Sequence, residues 1–197
     1  MFPTENEIKR ALEWLDESRH TQSALLLLAQ LAANAPSIFY PHVSYCIQLL
    51  WREKTASRDK DKVPIMVDRD LNIRTAACDV LHHCLFILAQ RDALTQRVAL
   101  STTSEAPGSI SLSSTAMAQL LAESARDSTN TPKLTTFVIS PTHKASFQLC
   151  LDNAKKWLEK LQREENAHGA LLALGELLLA SRPFMMPYFG EVCEIVL

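Results

Sequence analysis

Glycine is scarce in this chain: four residues, Gly108, Gly169, Gly175 and Gly190, among 197. No pair of them forms a phosphate-cradling loop, and folds built on many tight turns are disfavoured by the same shortage. The five cysteines, Cys46, Cys78, Cys84, Cys150 and Cys193, include no CxxC pair, so neither a zinc knuckle nor a thioredoxin-like motif is written here. They sit among Leu, Ile, Val and Phe, which reads as small buried hydrophobes in a reducing compartment. Charge of one sign is lacking too. Lys and Arg number 20 against 22 Asp and Glu, a net charge of −2, so no general attraction to nucleic acid or anionic membrane is expected. The longest apolar run, Ala24 to Ala29, falls far short of a membrane span, and the N-terminus lacks the apolar core of a signal peptide.

What is present is helical periodicity. Hydrophobic residues make up 47% of the chain, a globular composition. Thr4 and Glu7 make a capping-box pattern, and Ile8, Leu12 and Leu15 form one stripe, predicting a helix over about 4–18. A helix over about 20–34 is apolar around most of its circumference and stops at Pro36. Helices over about 37–52 and 70–90 follow, separated by the charged stretch Arg52 to Lys62, which reads as a solvated loop. From 101 to 142 Ser and Thr dominate, with Pro107-Gly108 as a turn and Thr131-Pro132 and Ser140-Pro141 as punctuation. This insertion reads as mostly disordered, with Ser114 to Ala125 able to form an isolated helix. Helices over about 146–163, 166–181 and 185–197 complete the chain, the last running out without a cap, as in a truncated unit.

The sequence also repeats itself. An offset of 146 positions lays Ser23–Trp51 over Gly169–Leu197 without a gap. Ala24, Leu25, Leu26, Leu28, Leu31 and Pro41 meet Ala170, Leu171, Leu172, Leu174, Leu177 and Pro187 as identities. Each copy is an apolar helix, a Pro-bearing break and an amphipathic helix. Such a unit cannot bury itself alone, so stacked copies are the physical solution, and the expected fold is an all-α solenoid of antiparallel helix pairs.

Asp68 precedes Arg74 by six residues, with Ala76-Ala77 and Leu81 following. This resembles the HEAT-repeat signature, which implies a pairing of Asp68 with Arg74 between neighbouring units and HEAT-type helix pairs. The order of Ser23–Trp51, then Ile73–Asp92 with Arg74 and Ala77, then His168, Gly169, Ala170, Leu171 and Leu172 resembles the N-terminal solenoid of the TOR (target of rapamycin) kinase family. The stretch from Thr55 to Met66 and the length of the 101–142 insertion depart from that pattern. The resemblance implies a non-catalytic piece of a Ser/Thr kinase of nutrient-responsive growth signalling. It also implies protein partners, a Raptor-type regulatory subunit and further HEAT repeats of the parent chain among them. The expected location is cytoplasmic, with nuclear or endomembrane-peripheral placement through the parent complex.

No kinase machinery is spelled out: there is no DFG triplet, no Gly-rich loop and no β-rich lobe to hold ATP. No catalytic, cofactor-binding or metal-ligating residue is therefore expected. His82, His83 and Cys84 are consecutive and point about 100° apart on a helix, so they cannot converge on one metal. His82 with Asp79 reads as an ordinary i, i+3 contact, and Glu165 with His168 lacks a second ligand set. Trp14, Trp51 and Trp157 read as inter-helix packing because no basic groove surrounds them. Two rival readings remain: a free-standing HEAT or armadillo adaptor for transport or phosphatase assembly, and an enzyme using the His82–Cys84 region. In the insertion, Thr131 and Ser140 suit a proline-directed kinase.

Overall fold

A computed structural model describes residues 5–17, 20–52, 63–103, 139–160 and 163–196. The chain divides into two compact units, one made of Met1–Asp92 with Ile139–Leu197 and the other of Ala93–Val138. Of the second unit the described part is 93–103, the end of a long helix. Residues 104–138, which hold Thr131 and the Ser114–Ala125 stretch, lie outside the described residues, as do Thr4 and 53–62.

Among the described residues every regular element is helical. The helices are α1 (Glu5–Asp16), α2 (Thr21–Asn34), α3 (Pro36–Phe39), α4 (Val43–Trp51), α5 (Leu71–Thr103), α6 (Pro141–Glu159), α7 (Glu164–Ala180), α8 (Arg182–Met185) and α9 (Phe189–Val196), with short 3-10 turns at Tyr40–His42, Ile65–Val67 and Met186–Tyr188; α5 passes out of the first unit after Asp92. In α1 the stripe Ile8, Ala11, Leu12 and Leu15 is buried, the spacing of a helix with one dry face. In α4 Val43, Cys46, Ile47, Leu49, Leu50 and Trp51 are all buried, so this short helix is enclosed on most sides.

The helices form antiparallel pairs stacked in two layers, an all-α solenoid. α1 lies against α2, and α6 against α7. α4 meets α5 where the Cys84 thiol bonds to Cys46. Along the first layer α1, α4, α6 and α9 touch in succession. Along the second, Arg74 bonds His168 and His82 bonds Glu176, both pairs separated by 94 residues, so α5 and α7 run parallel and in register. Like helices run parallel between pairs, while partners within a pair run antiparallel.

The 146-residue repeat is visible element by element. α3, its 3-10 turn and the start of α4 recur at α8, its turn and the start of α9 at that offset. Both copies bend by 117° between the apolar helix and the helix after the corner. Ala35 (φ −137°, ψ 56°) and its equivalent Ser181 (φ −141°, ψ 59°) make the same break. Each donates its N–H to the fourth carbonyl back, Leu31 or Leu177, at 2.9 Å. Pro36 and Pro183 therefore do more than stop a helix. They stand in the first turn of a one-turn helix, where a missing N–H costs nothing.

Two boundaries differ from the sequence reading. α5 continues to Thr103 rather than ending near 90, because no Pro or Gly interrupts the chain between 71 and 106. α6 begins at Pro141 rather than near 146. Ser140-Pro141 is a helix start, with Pro at N1, and not the tail of a loop.

Candidate functional site

The residues singled out from the sequence meet where α5 starts. Asp70 caps this helix, its carboxylate accepting the Asn72 N–H at 2.8 Å, and the Asp68 carboxylate accepts the Asp70 N–H at 3.0 Å. Arg74, 8% exposed, reaches back with Nη1 to the carbonyl oxygens of Asp68 (2.6 Å) and Arg69 (3.0 Å). Its Nε donates to His168 Nδ1 on α7 at 3.2 Å. So Arg74 does meet residue 68, but through the main-chain oxygen within its own helix entry. Its bond between neighbouring pairs goes to His168. The Asp68 carboxylate is occupied by the turn, which is why a carboxylate–guanidinium pair does not form.

Gly169 sits beside this bond, under the 3-10 turn Ile65–Val67. A Cβ placed there would lie 2.0 Å from the Met66 carbonyl oxygen and 3.0 Å from Val67 Cγ1. The His-Gly pair thus has a local physical meaning: His168 holds the arginine, and Gly169 lets the turn lie on the helix. Ala170 is buried in the core next to them, and Leu171 and Leu172 divide, Leu171 being exposed and Leu172 half-buried.

Two turns further along the same seam, His82 Nδ1 and Glu176 Oε2 are 2.6 Å apart. Cys78 donates to the other carboxylate oxygen at 3.7 Å. His82 therefore pairs across helices rather than with Asp79. Burial, with the Glu176 carboxylate adding to it, pushes the Cys78 thiol up to about 12. Burial and the neighbouring His82 lower His83. Cys84 lies well above the ordinary thiol value through its bond to Cys46 and its burial, and burial pushes Cys150 up to about 12. Raised in this way, the three thiols hold their protons at neutral pH.

A third polar cluster was not legible in the sequence. Asp92, 3% exposed, accepts the Ser140 N–H at 3.2 Å and lies 2.8 Å from His143 Nδ1. His143 Nε2 is 3.0 Å from the Tyr40 hydroxyl, and the Arg91 guanidinium covers the Tyr40 ring at 4.2 Å. One helical turn on, the Ser44 and Ser146 hydroxyls are 3.4 Å apart. Among the described residues no group of three His, Cys, Asp or Glu side chains could hold a metal ion. No single helix among them is long and apolar enough to cross a membrane.

The repeat allows each surface to be compared with its equivalent. Leu25 is 0% exposed, but its counterpart Leu171 is 44%. Val43 is 0% exposed, but Phe189 is 54%. Tyr40 bonds His143, whereas Met186 is 73% exposed. Ser44 meets Ser146, whereas a methyl group added at the equivalent Gly190 would have nothing within 4 Å. At the other end, Leu26 and Leu27 of α2 are exposed, while their counterparts Leu172 and Ala173 are half-buried and buried. α2 and α9 each leave open a face whose equivalent is covered within the stack.

No family model matches the chain. No solved structure matches it. Among curated proteins, a stretch of 95 residues, 47% of the chain, is 35% identical to "Serine/threonine-protein kinase tor1" of Schizosaccharomyces pombe. Over 196 residues, 98% of the chain, it is 25% identical to "Serine/threonine-protein kinase TOR" of Oryza sativa subsp. japonica. The chain is similar to TOR kinases. It spans 4% and 6% of the lengths of these two relatives.

Proposed function

We propose that this chain is one section of the HEAT solenoid of a TOR-like Ser/Thr kinase, where it serves as a protein-interaction scaffold in the nutrient-responsive growth-signalling complex. The observation that carries the reading is the pair of open stacking faces. Leu171, Met186 and Phe189 at one end, and Leu26 and Leu27 at the other, repeat positions that are covered inside the stack. Large apolar side chains exposed at positions that the repeat covers elsewhere support an interaction surface. Further HEAT pairs of the parent chain are the proposed neighbours at these faces, and a Raptor-type regulatory subunit is the proposed partner along the stack.

Two measurements test this. The 197-residue chain alone should self-associate at micromolar concentration in sedimentation velocity, and Leu171→Glu with Phe189→Glu should return it to monomer. A strictly monomeric 197-residue chain without substitutions would remove the stacking reading. In the longer protein, a Raptor-type subunit should co-purify with this region present and be lost when the region is deleted. Equal recovery without it would remove the partner assignment while leaving the stack intact.

A further inference from the structure

The Asp92–His143 cluster sits where the chain leaves the first unit and where it comes back. The unit boundary falls after Asp92 and before Ile139, and Asp92 bonds Ser140 and His143 directly. Three elements are tied at this one point: the α5 helix through Asp92, the start of α6 through Ser140 and His143, and the first-copy corner through Tyr40. The Asp92 Oδ1 atom takes both bonds, and its Oδ2 atom is buried with no partner. A carboxylate that is 3% exposed and half satisfied tolerates no second anion beside it.

Ser140 is followed by Pro141, the dipeptide that proline-directed kinases accept, and its backbone is extended (φ −55°, ψ 137°). Pro141 is exposed and Ser140 is half-exposed. From these observations we propose that Ser140 is a phosphorylation site whose modification opens the Asp92–His143 clamp. The kinase transfers the γ-phosphoryl group of a nucleoside triphosphate to Ser140 Oγ. An O–P bond forms, the β–γ anhydride breaks, the diphosphate leaves, and the hydroxyl proton passes to the kinase's base.

The added group carries nearly two negative charges at neutral pH. It would stand on the residue whose N–H the Asp92 carboxylate already holds at 3.2 Å. The positive end of α6 attracts a phosphate on its N-cap residue, but at the half-exposed Ser140 that attraction is screened, whereas the Asp92 carboxylate it would face is 3% exposed and keeps one oxygen without a partner. Repulsion wins, and the Ser140 and His143 bonds to Asp92 are released together. The coupling runs both ways. A kinase needs an extended substrate on both sides of the serine, and α6 begins at Pro141, so the site is offered only when the clamp has opened.

The test uses the full chain with Mg-ATP and a proline-directed Ser/Thr kinase of the cyclin-dependent type, phosphate being located by mass spectrometry. Thr131-Pro132 is a second such dipeptide and reports that the kinase acts on the chain at all. Ser140 should be modified, and several-fold faster in Asp92→Asn and in Tyr40→Phe, which removes one hydroxyl and keeps the ring under Arg91. Amide exchange across 139–146 should then rise at least tenfold in the phosphorylated protein, with the α1–α2 amides unchanged. Ser140→Ala should show neither effect. Phosphate on Thr131 with Ser140 untouched in all variants overturns the proposal. So does modification of Ser140 at one rate in every variant, or modification that leaves exchange unchanged.

Discussion

Replacing Gly169 with alanine is the sharpest probe of how the pairs are joined. A methyl group at this position would be 2.0 Å from the Met66 carbonyl oxygen and 2.9 Å from its carbonyl carbon. Ordinary contact begins near 3.4 Å, so the turn must retreat by about 1.4 Å. The obstacle is backbone, with no flexible side-chain end to swing aside. Retreat also lifts Ile65, Met66 and Val67, all within 2% of complete burial, off the core. Overpacking of this kind costs about 2–4 kcal/mol, toward the upper part of the usual range because backbone must move. Alanine recovers about 1 kcal/mol as a better helix former. The net loss is about 1–3 kcal/mol, or a fall in Tm of roughly 4–8 °C at the middle of that range for a protein of this size. Gly175 on the same helix is the control, since nothing lies within 4 Å of its added methyl. Gly175→Ala should raise stability by up to about 1 kcal/mol. Urea unfolding followed by circular dichroism at 222 nm reads both. If Gly169→Ala is as stable as the parent, the close approach of the turn to α7 is wrong.

Arg74→Met leaves the Asp68 and Arg69 carbonyls and His168 without their donor and should cost about 2–4 kcal/mol in the same unfolding assay. Arg74→Lys should regain less than half of that, because an ammonium cannot serve both carbonyls and the imidazole in one fixed fork. Glu176→Gln removes one of the causes that raise Cys78, so alkylation of Cys78 at pH 8 should quicken, while Cys150, raised by burial alone among its upward causes, keeps its slow rate. His83 is held below its ordinary value, so the folded state binds its proton less readily than the unfolded state does. Its contribution is present above about pH 6.5 and is lost as pH falls through the lowered folded value. His83→Gln should therefore flatten the decline of stability between neutral and mildly acidic pH, and an unchanged slope would refute the assignment.

The fold was largely legible because its signals are local. Ile8, Leu12 and Leu15 mark one dry helical face, and the 146-residue offset marks two like corners, each reproduced at the level of backbone angles. Proline was the weak point. Pro36 and Pro141 read as breaks, yet each, like Pro183, occupies a first helical turn, where φ is already suitable and no donor is needed. The polar clusters were legible only in part. Asp68 and Arg74 are six residues apart, so their meeting could be anticipated, although not the atoms involved. Glu176 as the partner of His82, and Asp92 as the partner of His143, are 94 and 51 residues away, a separation at which one sequence carries no pairing signal.

Those distant pairs answer a problem that the apolar helices create for themselves. Leu-rich faces such as those of α2 and α7 attract one another without direction, and one register of Leu on Leu is nearly as good as the next turn along. Six polar side-chain contacts cross from one pair to the following one: Asp16 to Arg52, Tyr40 to His143, Ser44 to Ser146, Arg74 to His168, His82 to Glu176, and Lys155 to Glu191. Each bond is directional and short in reach, so a slip of one turn would break several at once. The constant separation of 94 in two of them is the signature of a register held at two points on one seam. Apolar burial thus supplies the cohesion of the stack and the seam polar groups supply its alignment. His82, Glu176, His143, Asp92 and His168 all take part in that alignment.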